Sequence, residues 1–233
     1  MQNRYAFDIG DYSKFKLLEV FRDKKIGLNW FLYPDESHNN DGKYIEYLSD
    51  LKKHSLEKCE VAKLMKEGFN GVRSVRELEK CVKGFFDIDF YNKFVPSSAQ
   101  EREKWFEESL KKLKNSEVYV IDADNGLEVK SVKYGTKKSG KYIYRKELER
   151  VLDEEFESVI VYQHYRRVKN FKEKMFSELK EKFKNYKHYN LYAVSFHKIS
   201  PRVYFIFSRL NYKQKLLQLK QYEFWDVISL NKY

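Results

Sequence analysis

Between Tyr12 and Asp23 the apolar residues fall at Phe15, Leu17, Leu18 and Phe21, the spacing of a helix with one face against a sheet. Ile26 to Tyr33 is almost uninterrupted in its apolar character, which predicts a buried strand, and it runs into the polar loop Pro34 to Gly42. From Lys43 to Lys83 the pattern predicts helix in three pieces, broken near His54 and between Gly68 and Gly71, with Ser74 and Glu77 spaced as a capping box. Phe85 to Phe94 holds a short strand. Ser98 and Glu101 form a second capping box, opening a charged helix through Trp105, Phe106, Leu110 and Leu113 to about Lys114.

The β-branched run Val118 to Ile121 stops abruptly in Asp122, Asp124, Asn125 and Gly126, so a strand delivers carboxylates to its own C-terminal end. Lys146 to Glu155 then reads as helix, Ser158 to Tyr162 as strand and Phe171 to Phe183 as amphipathic helix. Leu191 to Phe196 and Val203 to Phe207, joined by a turn at Lys198 to Pro201, predict an antiparallel hairpin. Helices alternating with strands in this order predict one α/β domain over residues 1–233. Its sheet is expected to be mostly parallel, with an antiparallel strand pair near the C-terminus and a helical insertion at about 55–83.

In open α/β sheets ligands bind outside the carboxyl ends of the strands. Three predicted strands end in chemistry-bearing residues: Asp35, Glu36, His38 and Asp41 after the first, Asp122, Asp124, Asn125 and Glu128 after another, His164 and Arg166 after a third. Asp35, Asp122 and Asp124 on one rim would suit Mg²⁺ or Mn²⁺, since hard cations take oxygen ligands. In that metal-dependent nuclease or phosphodiesterase reading, His164 activates water and Arg166 or Lys141 offsets the developing charge. Plainer readings stand beside these. Asp124 to Gly126 would equally serve as the type I′ turn of a hairpin between residues 118–121 and 127–132, and the Asp35 to Asp41 acids would serve a helix N-terminus. Glu128 and Lys130 look like half of a PD-(D/E)xK nuclease motif, but the chain from Asp122 is too short for its two strands. No glycine fingerprint, Walker loop, HExxH or GxSxG occurs.

Charge adds a partner. The 46 Lys and Arg exceed the 35 Asp and Glu by 11, and 17 % of the chain is aromatic, the combination that neutralises phosphates and stacks on bases. Codon bias alone would also raise Lys, Tyr, Phe and Asn. The basic residues cluster, however. Lys130, Lys133, Lys137, Lys138, Lys141, Arg145 and Lys146 lie between Val129 and Lys146 without one acid, with Gly135 and Gly140 among them, which reads as a mobile phosphate-contacting loop. DNA or RNA is the expected partner, and a non-catalytic nucleic-acid-binding protein is the third functional reading. Cys59 and Cys81 have no metal-ligand spacing, and no apolar run reaches membrane-spanning length, so the expectation is a reduced, cytoplasmic protein.

With its elements in this order the chain resembles the S-adenosylmethionine-dependent methyltransferases, in layout the rRNA adenine-N6 enzymes with a D-P-P-Y motif. Gly10 to Leu18 is similar to their N-terminal helix entry, Tyr33 to Tyr44 stands at their first strand end and cofactor loop, and Asp122 to Asn125 stands at D-P-P-Y. It also resembles a bacterial family sharing the D-x-D-N-G segment and the Asp35 to Gly42 loop. The methyltransferase resemblance implies a Rossmann-like sheet of six or seven strands and S-adenosylmethionine as cofactor. Asp35, Glu36, Asp41 and Gly42 would then hold that cofactor, and Asp122, Asp124 and Asn125 would meet the target amine. The cofactor loop is degenerate, with Gly42 its single glycine, and Asn125 replaces the stacking aromatic.

Overall fold

The structure is a computed structural model that describes residues 1–36, 42–166 and 168–229. In chain order the strands are β1 (Ile26–Asn29), β2 (Ile88–Tyr91), β3 (Val118–Ile121), β4 (Gly126–Leu127), β5 (Tyr142–Ile143), β6 (Ser158–His164), β7 (Asn190–Phe196), β8 (Arg202–Ser208) and β9 (Trp225–Ser229). The α-helices are α1 (Ile9–Leu18), α2 (Glu60–Gly68), α3 (Val75–Val82), α4 (Ala99–Leu113), α5 (Arg145–Asp153), α6 (Phe171–Lys182) and α7 (Lys213–Leu217).

Seven strands form one sheet in the order β2-β1-β3-β6-β8-β7-β9. The three pairings among β2, β1, β3 and β6 are parallel, and the three from β6 through β8 and β7 to β9 are antiparallel. The α/β expectation holds, but the sheet is evenly divided instead of mostly parallel. Two features produce this. The predicted hairpin forms in register, with β8 inserted antiparallel between β6 and β7, and β9, which the apolar pattern did not announce, adds a third antiparallel pair.

Alternation along the strands sends side chains to two cores. Val118, Val120 and Ile160 pack with α1, α2, α3 and α7, while Tyr119, Ile121, Val159 and Val161 pack with α4, α5 and α6. Helices therefore cover both faces. Among the described residues no helix is long and apolar enough to cross a membrane, and Cys59 and Cys81 are free thiols.

Local chemistry moved several boundaries. Helix α1 begins at Ile9, earlier than Tyr12, because the Asp8 carboxylate accepts from Gly10 N and Asp11 N at 2.7 and 3.0 Å. It is buried all round instead of amphipathic. Strand β1 stops at Asn29, whose side chain accepts from Phe31 N at 3.1 Å, and Phe31 takes a left-handed φ of 45°. The caps at Ser74 and Ser98 form, accepting from Glu77 N and Glu101 N. The hairpin through Asp124 to Gly126 does not form: β4 pairs in parallel with β5. Gly126 has φ +88°, and a Cβ there would lie 2.7 Å from the Gln163 backbone, so the tight passage beside β6 needs glycine.

Candidate functional site

The chain leaves β1 to build β2 on one side of it and returns to build β3 on the other, so the strand order reverses between β1 and β3. That is the switch point at which open α/β sheets bind ligands. A cleft of about 240 Å³ lies at this end of the sheet, between the start of α1 and the tips of β3, β6 and β8.

Its floor is a buried charge network. Lys14 Nζ donates to Asp11 Oδ1 and to Asp122 Oδ2, each at 2.8 Å, and lies 4.5 Å from the centroid of the Trp30 ring. All three charged residues are at most 5 % exposed. Asp11 also accepts from Phe7 N at 2.9 Å. Burial pushes its carboxyl up to about 6; Lys14 opposes that rise, while Asp8 and Asp122 add to it. For Lys14 burial acts downward, but Asp11 and Asp122 outweigh it and hold the ammonium well above its usual range.

This has a consequence for stability. An acid whose folded value exceeds its ordinary 3.8 keeps its proton longer in the folded chain, so its contribution is full below about 4 and is lost as pH rises through about 6. Asp11→Asn is expected to remove a fall in unfolding free energy of about 3 kcal/mol across that window. Urea denaturation of both proteins at intervals from pH 4 to 7 measures it; parallel profiles would show that Asp11 does not titrate there.

The other acids near the rim are also engaged. Gln2 Nε2 donates to Asp124 Oδ2 at 2.9 Å and to Glu36 Oε2 at 3.2 Å, and Lys141 pairs with Glu36. The Met1 ammonium donates to Phe31 O and Asp122 O at 3.1 and 3.2 Å. Asn125 lines the cleft, its backbone held between Lys141 O and the Gln163 amide.

The structure thus brings Asp122, Asp124, Asn125, Lys141, Gly42 and His164 to one cleft. It leaves others outside. Asp35 is exposed and accepts from Arg4 N at 3.2 Å, Glu128 accepts from Arg145 N at 3.2 Å, and Arg166 lies 5.9 Å from the Phe171 ring. His38 and Asp41 fall outside the described residues. Among the described residues no three His, Cys, Asp or Glu side chains converge as a metal would require, so Asp35, Asp122 and Asp124 do not form the expected set. Asp122 and Asp124 each face a donor of the chain itself, and Asp35 stands apart.

Sequence reading missed Tyr5, Tyr44, Tyr162 and Arg202, which also line the cleft. Arg202 alone had a legible signal, as a cation at the head of the apolar run 203–207. The tyrosines had none, being scattered among 19.

The basic segment is a built loop. Residues Lys137–Lys141 form a 3-10 helix, and the buried Arg102 anchors the segment by donating to Ser139 O at 2.7 Å and Tyr142 O at 2.6 Å. Three of its seven cations are spent internally: Lys141 on Glu36, Arg145 on Glu149 and Lys146 on Glu103. Lys130, Lys133, Lys137 and Lys138 are exposed, with no carboxylate partner among the described residues.

The described residues at the crevice beside β1 and β3 do not give S-adenosylmethionine a glycine-lined approach. A nucleotide cofactor needs glycines there so that backbone can approach it, whereas Trp30, Phe31, Leu32 and Tyr33 follow β1 and are buried. Met1 and Gln2 are buried in the same crevice, and Asp35 and Glu36 are bonded within the chain. No family model matches this chain, and no curated protein or solved structure is significantly similar to it.

Proposed function

We propose that this protein acts on nucleic acid by taking one nucleotide into the switch-point cleft while the neighbouring basic segment holds the backbone. The observation that supports this best is the position of Lys141. It ends the 3-10 helix carrying the exposed Lys137 and Lys138, and it also lines the cleft, so the segment that carries the cationic surface ends at an aromatic-walled cavity. Proteins that do chemistry on a base remove it from the stack into such a pocket. Tyr44, 46 % exposed at the cleft, offers the ring for stacking, and Asn125 supplies both a donor and an acceptor for a base edge. The parallel half of the sheet, reversing between β1 and β3, favours a Rossmann-like reading of that half. Methyl transfer has less support, because the described crevice residues offer no glycine-lined approach for the cofactor. Calorimetry with millimolar S-adenosylmethionine is expected to show no saturable heat, and a saturable isotherm would restore that reading.

The direct test is salt dependence. Each lost phosphate contact lowers the slope of log affinity against log salt by about 0.9 on duplex DNA and about 0.7 on single strands. Lys133, Lys137 and Lys138 changed together to Ala are expected to flatten the slope by about 2.1 for labelled single strands and about 2.7 for duplexes, measured by fluorescence anisotropy. Tyr44→Ala should instead keep the slope and lower single-strand affinity by the about 1–3 kcal/mol of one stacked base. An unchanged slope in the triple variant would remove the nucleic-acid reading.

A further inference from the structure

Arg202 opens β8 and is 5 % exposed. Its Nε donates to Ser200 O at 2.9 Å, while its two terminal nitrogens have neither a hydrogen-bond partner nor a carboxylate within ion-pair distance among the described residues. These nitrogens are not sealed in the core, because the described buried side-chain atoms left without a partner are Ser116 Oγ and Trp225 Nε1 alone. They open on the cleft that Arg202 lines. Gly10 permits this placement: a Cβ there would lie 1.8 Å from Arg202 Nη1. Antiparallel register sets Arg202 directly opposite His164 on β6, and His164 and Ser200 line the same end.

The acids around it do not answer this charge at contact distance. Asp8 accepts from Gly10 N and Asp11 N, Asp11 and Asp122 from Lys14, and Asp124 from Gln2. A guanidinium withdrawn from water gains most from an oxyanion that takes two parallel N–H bonds, and phosphate has that geometry.

We propose that Arg202, with His164 beside it, forms a phosphate subsite in the cleft, holding the phosphate of the bound nucleotide while the tyrosines hold its base. The subsite deepens the nucleotide reading and rests on it for the rest of the ligand. Gly10 is then a positioning residue, there to let the guanidinium lie against α1.

The test is calorimetric titration of the full chain with the four nucleoside 5′-monophosphates, the matching nucleosides, and inorganic phosphate as competitor. At least one monophosphate is expected to bind tenfold or more tightly than its nucleoside, with phosphate competing. Arg202→Met and Gly10→Ala should each abolish that difference, and His164→Ala should reduce it several-fold. Circular dichroism reports whether Arg202→Met folds; if it does not, Gly10→Ala and His164→Ala decide. Equal binding of monophosphate and nucleoside, or a difference that survives in folded variants, would overturn the subsite. If oligonucleotides bind with the predicted salt slope but no monophosphate preference exists, the subsite fails alone. If the preference exists without oligonucleotide binding, the subsite stands and the nucleic-acid reading fails.

Discussion

Arg102→Ala is expected to lower the unfolding free energy by about 3–5 kcal/mol, because it leaves the Glu147 carboxylate buried without its cation. Arg102 is fully buried, and its guanidinium takes Glu147 in a two-point pair at 2.6 and 2.8 Å. The same group donates to the carbonyls of Ser139 and Tyr142, with the Tyr134 and Tyr144 rings 5.0 and 5.1 Å away. Glu147 also accepts from Tyr144 N at 3.0 Å, tying the start of α5 to the pair. Burial pushes the Glu147 carboxyl up and Arg102 holds it down, so removing Arg102 leaves only the upward effect. Two carbonyls of the basic segment lose their donor at once. Arg102→Met combined with Glu147→Met should cost much less than Arg102→Ala, since no charge is then stranded. Urea denaturation of the variants completes the cycle. A loss below about 1 kcal/mol in Arg102→Ala would mean that water reaches Glu147 and that the segment is held by other contacts.

Lys14→Met should cost a similar amount at pH 7, about 3–5 kcal/mol, because two carboxylates then share a buried floor without a cation. The pH dependence distinguishes this from lost packing. Asp11 already titrates near 6, and without Lys14, which now opposes the rise, it moves higher. Protonation relieves the repulsion between Asp11 and Asp122, so much of the loss should be recovered at pH 5. Denaturation at both pH values measures this, and a loss equal at the two would show that repulsion between Asp11 and Asp122 plays no part in it. The floor also sets the position of Asp122, so this variant is expected to weaken oligonucleotide binding without changing its salt slope, whereas the triple lysine variant weakens binding and flattens the slope together.

Local patterns that need no partner were legible in the chain. Ser74 and Ser98 cap their helices because the acceptor and the donor lie three residues apart. The apolar runs 118–121, 158–162, 191–196 and 203–207 became β3, β6, β7 and β8, since a β-branched or aromatic run that long must be buried on both faces. Asp122, Asp124, Asn125 and His164 were found at the cleft because a strand's last residues point to its own C-terminal edge. Strand β9 was hidden by its charged and polar neighbours. It pairs antiparallel with β7 and becomes the edge of the sheet itself.

What the sequence by itself determined is the alternation of helix and strand, the edge of the sheet that carries acids, and the excess of positive charge. All of these depend on neighbours within a few positions or on sums over the chain. Only the tertiary structure decided which charges are spent. Lys14 meets Asp122 across 108 positions, Lys141 meets Glu36 across 105, and Arg102 meets Glu147 across 45. Those pairings engage Asp122 and Glu36, two of the acids that suggested a metal or a cofactor, and they leave Arg202 as a buried cation of the cleft without a carboxylate partner among the described residues. The reason is physical: a charge taken out of water must find its complement wherever folding brings one, and spacing along the chain carries no record of that meeting.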